Sequence, residues 1–167
     1  MIEAIKTFFV DTVGAHWAVI ICAMIPIIEL RGAIPLSAFL GLPPWQSYLF
    51  AVLGNMIPVP FILLFINKVI AWMAGCRVRW INRFGNWLTR KAEKNRGKVE
   101  KFSFFGVCLF VAIPLPVTGA WTGSLVAATI GMKFPKALLS CFLGVLLAGV
   151  IMTLGAYGVV AAFRFFA

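Results

Sequence analysis

In the segment IPIIELRGAIP, residues 25–35, Glu29 and Arg31 stand two apart between Pro26 and Pro35, in a chain with only five Asp and Glu residues. A carboxylate takes up and releases a proton, and a guanidinium holds an anionic group through several fixed N–H donors. At membrane depth each charge costs about 2.5–3.5 kcal/mol on insertion scales unless it faces water, protein or an opposite charge. On an unbroken helix, residues two apart point to opposite sides, whereas on a non-helical tip between prolines they converge. Two uses follow. The pair either holds the tip as a structural ion pair, or forms a site in which Glu29 exchanges a proton while Arg31 binds a phosphate-like group.

A second stretch, IPLPVTGAWTGS at residues 113–124, offers Thr118, Trp121, Thr122 and Ser124 beside Pro114, Pro116, Gly119 and Gly123. It brings hydrogen-bonding groups and no charge. Asn55 lies just before Pro58 and Pro60, where a kink frees carbonyls. The candidate substrate or ion site is therefore Glu29, Arg31, Pro26, Pro35, Asn55, Pro114, Thr118, Gly119, Trp121 and Thr122, with a helix–helix hydrogen bond as the alternative role for Asn55. His16 reads as interfacial. One acid and one arginine, without a paired base, nucleophile or metal cluster, do not make a catalytic set, so neither an enzyme nor a metal or cofactor site is expected. The scattered Cys22, Cys76, Cys108 and Cys141 read as free packing thiols.

The elements that must hold these residues are membrane elements. The chain has 167 residues and is 62% hydrophobic, with a mean hydropathy of +1.01, against about 45–50% apolar for a soluble domain. An all-α integral membrane protein follows, one domain over residues 1–167, and Glu3, Lys6 and Asp11 argue against a separate signal peptide. Two similar halves are legible. GLPPWQSYLFAVLGN starts at Gly41 and GMKFPKALLSCFLGV at Gly131, each with a second glycine thirteen residues on, at Gly54 and Gly144. Upstream, each half breaks an apolar stretch with Ile-Pro; Pro26 to Gly41 is fifteen residues and Pro114 to Gly131 seventeen, so one small insertion separates them.

Residues 47–74 and 137–163 are long enough to span. The arms at 17–28 and 33–40 are too short for that and, interrupted by proline, read as re-entrant. The expected fold is an inverted repeat of re-entrant hairpin plus transmembrane helix, repeat 1 at about 16–74 and repeat 2 at about 102–165. Charge agrees with inversion. Lys133 and Lys136 flank the second Gly/Pro turn while the first, GLPPWQ, is uncharged. Gly144, Ala148, Gly149, Gly155 and Gly158 are expected to allow close helix packing.

Nine of the fifteen Lys and Arg residues lie in residues 77–101. Ile81, Phe84, Trp87 and Leu88 recur there at helical spacing, giving a basic amphipathic linker on the cytoplasmic surface with anionic headgroups as partners. No nucleic-acid motif accompanies the charge. Residues 1–15 read as an interfacial amphipathic helix.

PIIELRGAIP together with AIPLPVTGAWTGSL resembles the small multidrug export protein family, which is similar in turn to the DedA (VTT-domain) superfamily. The resemblance covers nearly the whole chain. It implies paired re-entrant hairpins and membrane transport, and the DedA-like relatives imply ion-coupled translocation of a polyprenyl phosphate or phospholipid. By motif, Glu29 and Arg31 correspond to the acidic and basic residues of the first DedA hairpin. Where DedA proteins carry another arginine in the second hairpin, this chain has Thr118, Gly119 and Trp121.

The expected function is an ion- or proton-coupled transporter of a lipid phosphate or small amphiphile, in the inner (plasma) membrane of a prokaryote. The alternatives are a small multidrug cation/proton antiporter and a non-transporting membrane scaffold acting through the basic linker. Two hairpins in 167 residues enclose little space, which makes a homodimer an expected partner arrangement.

Overall fold

Pro26 ends the first helix. In the computed structural model, which describes residues 14–75, 82, 83, 86, 90, 100–115 and 118–166, α1 (Ala15–Met24) stops at Ile25. Ile25 is extended, at φ −74° and ψ 127°, as a residue before proline is driven to be. A turn over 25–28 leads into α2 (Glu29–Phe39). Gly41 then takes φ 80°, the left-handed conformation that costs glycine nothing. Its N–H donates to the Ala38 carbonyl at 3.2 Å, and that of Leu42 to Ser37 at 3.1 Å. Pro44, whose missing N–H is an orphan there anyway, opens α3 (Pro44–Met56). Ile57 separates α3 from α4 (Pro58–Ala74), because Pro58 and Pro60 have no N–H for the carbonyls one turn earlier.

The same sequence of elements recurs 90 residues on. α5 (Glu100–Ala112) ends before Pro114, a tip leads to α6 (Ala120–Thr129), and Gly131 adopts φ 75° before α7 (Phe134–Phe166). The Gly131 N–H donates to Ala128 and that of Met132 to Ala127, both at 3.0 Å, repeating the Gly41 and Leu42 bonds. The second tip is the longer one. α7 runs unbroken for 33 residues where its counterpart divides, since its only proline, Pro135, sits in the first turn.

Within each half the first helix packs on the long one, α1 on α3 and α5 on α7; across the halves α2 packs on α7 and α6 on α4. Glycine allows the close approaches. A Cβ on Gly54 would lie 2.9 Å from that of Ala23 in α1, and one on Gly144 would lie 2.6 Å from that of Val111 in α5. Gly149 similarly admits the Tyr48 ring. Gly155 and Gly158 do not serve this purpose, contrary to expectation: both face open space, on a stretch of α7 that also exposes Leu154 and Val159.

Val19, Ile34, Val59, Val111 and Val145 form the core, while Leu53, Phe61, Leu64, Leu147 and Ile151 face outward. Apolar residues on both inner and outer faces mark helices that sit in lipid. Residues Pro44–Ile66 and Phe134–Val160, of 23 and 27 residues, are long and apolar enough to cross a bilayer. α1, at 10 residues, is about 15 Å long.

Two boundaries differ from the sequence reading: residues 47–74, read as one span, divide at Ile57, and the first break is displaced. The break lies at 25–28, so Glu29, Arg31 and Pro35 all belong to α2, not to a loose tip. Pro26 is the breaker, whereas Pro35 is accommodated mid-helix at the cost of the donor for the Arg31 carbonyl, with neighbouring Ile34 fully buried. Cys22, Cys108 and Cys141 are free thiols. Of the N-terminal helix expected over residues 1–15, residues 1–13 lie outside the described residues, as do Cys76 and most of 77–99, of which Asn82, Arg83, Asn86 and Arg90 are helical.

Candidate functional site

Glu29 opens α2 with φ 47° and is 6% exposed. A left-handed backbone at a non-glycine residue costs about 1–3 kcal/mol and persists only where its surroundings hold it. The Glu29 N–H donates to the Ile25 carbonyl at 2.8 Å, and its side chain is held from the other half of the chain. Glu29 Oε1 accepts the backbone N–H of Trp121 at 3.2 Å. Trp121 is the second residue of α6, the position whose N–H an N-cap side chain normally accepts. The N-cap of α6 is Gly119, which has no side chain to offer. The Glu29 carboxylate lies in the space a side chain there would fill: a Cβ on Gly119 would be 2.6 Å from Glu29 Cδ. Glu29 thus caps α6 in place of the missing side chain, with its charge at the positive end of that helix.

Arg31 reaches the same second tip. Its Nη2 donates at 3.0 Å to Thr118 Oγ1, which also accepts the Leu115 N–H at 3.2 Å. The single Thr118 hydroxyl proton goes to the carbonyl of Ile113 or Leu115, at 2.7 and 2.9 Å. The indole N–H of Trp121 returns the contact, donating to the Met24 carbonyl at the end of α1 at 3.1 Å. Glu29 and Arg31 were expected to converge on each other. Each instead binds the second half, and no direct ion pair joins them among the described residues. The reason is that both residues belong to α2 and not to a loose tip, with Glu29 at its left-handed first position and Arg31 in its first turn, and each finds its partner on the second tip.

A cavity of about 10 Å³ sits where the halves meet, lined by Glu29, Leu30, Arg31 and Asn55 from the first half and by Val111, Gly119, Ala120, Val145, Ala148 and Met152 from the second. That volume is the lower limit for one water molecule. The lining pairs off at a spacing of 90: Glu29 with Gly119, Leu30 with Ala120, Asn55 with Val145. Residues at equivalent places in the two halves thus face one space, with charge and polarity from the first and room from the second. Asn55 is 3% exposed, and its Oδ1 has no hydrogen-bond partner among the described residues.

The remaining sequence candidates stand apart. Pro26 and Pro35 are exposed, Pro114 marks the break after α5, and Thr122 bonds back to the Gly119 carbonyl at 3.3 Å; none of these four lines the cavity. The apolar liners Leu30, Val111, Val145 and Met152 were not singled out from sequence, and Ala148 only for close helix packing, although the 90-residue spacing of Gly41/Gly131 and Gly54/Gly144 was the signal that pairs Asn55 with Val145. His16 bonds Gln46 at 3.0 Å beside Phe50, at the start of α1. Among the described residues no group of three His, Cys, Asp or Glu side chains is placed to hold a metal.

Comparison with known proteins returns one family. Residues 29–151, from the capping carboxylate to the middle of α7, match the family described as "Putative small multi-drug export protein". No curated protein and no solved structure matches the chain. The matched segment contains α2 to α6 and the cavity residues Glu29 to Ala148, and with it this membrane protein belongs to the small multi-drug export protein family.

Proposed function

We propose that the protein is a proton-coupled membrane transporter whose coupling group is Glu29 and whose substrate is an anionic amphiphile held by Arg31. The observation that carries this reading is a carboxylate buried where two broken halves meet, bonded to the backbone of the opposite half. While ionised, Glu29 accepts from Trp121 and neutralises the N-terminus of α6. Protonation removes the charge and weakens both interactions, so proton binding loosens the contact between halves. The water-sized cavity makes this the closed arrangement, and loosening gives access to Arg31. Among the described residues one of the guanidinium's five donors is engaged, by Thr118, which leaves others for a phosphate or similar head.

The halves in this reading form an inverted repeat with re-entrant short helices. α1 and α2, of 10 and 11 residues, fall short of the roughly 20 needed to cross, and the two halves share their turn chemistry and line one cavity with equivalent residues. The basic linker of 77–101 lies on the cytoplasmic side of a prokaryotic inner membrane, next to anionic lipid. Labelling of Pro43→Cys and Pro135→Cys, each in a chain lacking native cysteines, with an impermeant thiol reagent is expected to report opposite sides of the membrane. Labelling of both from one side overturns the inversion.

The substrate class is tested in proteoliposomes under an imposed pH gradient, with fluorescent phosphatidic acid and with ethidium as probes. The wild type should move the phosphatidic acid, and Arg31→Ala should reduce that movement to background. Movement of ethidium alone, surviving in Arg31→Ala, favours a drug-cation antiporter, since a nearby guanidinium opposes a cationic substrate. Movement of neither probe, with a phenotype only on neutralising residues 77–101, favours a scaffold.

A further inference from the structure

Asn55 is a buried amide with an unmet need. Its Oδ1 is an acceptor withdrawn from solvent without a donor among the described residues, an arrangement that costs about 1–3 kcal/mol where nothing relieves it. It borders the same cavity as Glu29, which as a carboxylate is also acceptor-only. Asn55 and Glu29 border one small space, and a guest there that donates to both would satisfy both acceptors. The space has the volume of one water, and a polar cavity of that size holds water when it offers at least two partners.

Resting on the reading of Glu29 as the proton carrier, we propose that Asn55 and Glu29 bind a single water, and that Asn55 is the positioning residue of the proton site. With Glu29 ionised, the water donates one O–H to Asn55 Oδ1 and the other to the carboxylate. When a proton arrives from bulk water on Glu29, the carboxyl O–H donates to the water oxygen while the water keeps its bond to Asn55. The water rotates and Asn55 stays satisfied in both states. The equivalent position in the second half is Val145, so nothing in that half duplicates the acceptor. Among the described residues that line the cavity, Arg31 on α2 is the only ionisable one besides Glu29. Asn55 on α3, Val111 on α5, Gly119 and Ala120 on α6, and Val145, Ala148 and Met152 on α7 are uncharged.

Infrared titration of the reconstituted full-length chain tests this, following the protonated carboxyl band that Glu29→Gln removes. In the wild type a water O–H band sensitive to oxygen-18 water should change together with that carboxyl band. Asn55→Leu, which fills the space and deletes the acceptor, should abolish the water band. It should also raise the midpoint of the Glu29 band by about one pH unit, a roughly tenfold gain in proton affinity, because the ionised form loses its donor. Asn55→Ser, small and hydroxylated, should restore both. An unchanged midpoint in Asn55→Leu, or a wild type without the coupled water band, overturns the proposal; the second readout needs no folded variant. Wild-type transport by Glu29→Gln defeats the proton-carrier reading instead, whatever the water band does.

Discussion

Gly119→Ala is expected to separate the two halves. The backbone of Gly119 is extended, at φ 163°, so alanine meets no conformational penalty there and the whole effect comes from the added methyl. That methyl would lie within 2.6 Å of Glu29 Cδ, too close for any real contact. Either the carboxylate leaves its position on Trp121, or α6 moves away. The first outcome loses the cap, worth about 0.5–2 kcal/mol, and the second adds an overpacking cost of about 1–3 kcal/mol. Either way the loss, about 0.5–3 kcal/mol, lowers Tm in detergent by roughly 1–12 °C. The companion variant identifies the cause. In Glu29→Ala/Gly119→Ala the methyl has space, so Tm should recover most of the steric part while transport remains absent. A Gly119→Ala protein with wild-type Tm and transport would mean that Glu29 does not occupy that space.

The fold was legible where proline and glycine dictate the backbone. Ile-Pro breaks the first stretch of each half, and Gly41 and Gly131 turn the chain, as read; but the first arm was read on to Ile28 and residues 47–74 as one kinked span, where the helix ends at Met24 and the long element divides at Ile57. Those residues act through local sterics, which sequence displays directly. Pro35 misled for the same reason, since its local effect is outweighed by the packing of the fully buried Ile34 beside it.

The site was legible in its charged members and not in its contacts. Glu29 and Arg31 announce themselves as rare charges in apolar sequence, but that each bonds the second tip depends on helix packing across 92 and 87 residues of chain. The role of Gly119 as the space for a carboxylate is invisible to composition, because a glycine reads only as a turn until its neighbour in space is known. The repeat held the missing hint: the spacing that pairs Gly41 with Gly131 also pairs Glu29 with Gly119.

Glu29→Gln is the sharpest perturbation of the proposed mechanism. Glutamine keeps the length of the side chain and an oxygen for the Trp121 N–H, so the cap and the fold should survive with a small loss of stability. It cannot release or bind a proton. Transport that depends on proton exchange should therefore disappear from a protein that is still folded and inserted. The most direct measurement is the initial rate of fluorescent phosphatidic acid movement in proteoliposomes, with and without an imposed pH gradient, for wild type and Glu29→Gln at equal reconstituted amounts. The expected result is a wild-type rate that rises with the gradient and a Glu29→Gln rate at the protein-free background under both conditions. A Glu29→Gln rate equal to wild type, with the same response to the gradient, would contradict the assignment of Glu29 as the coupling group.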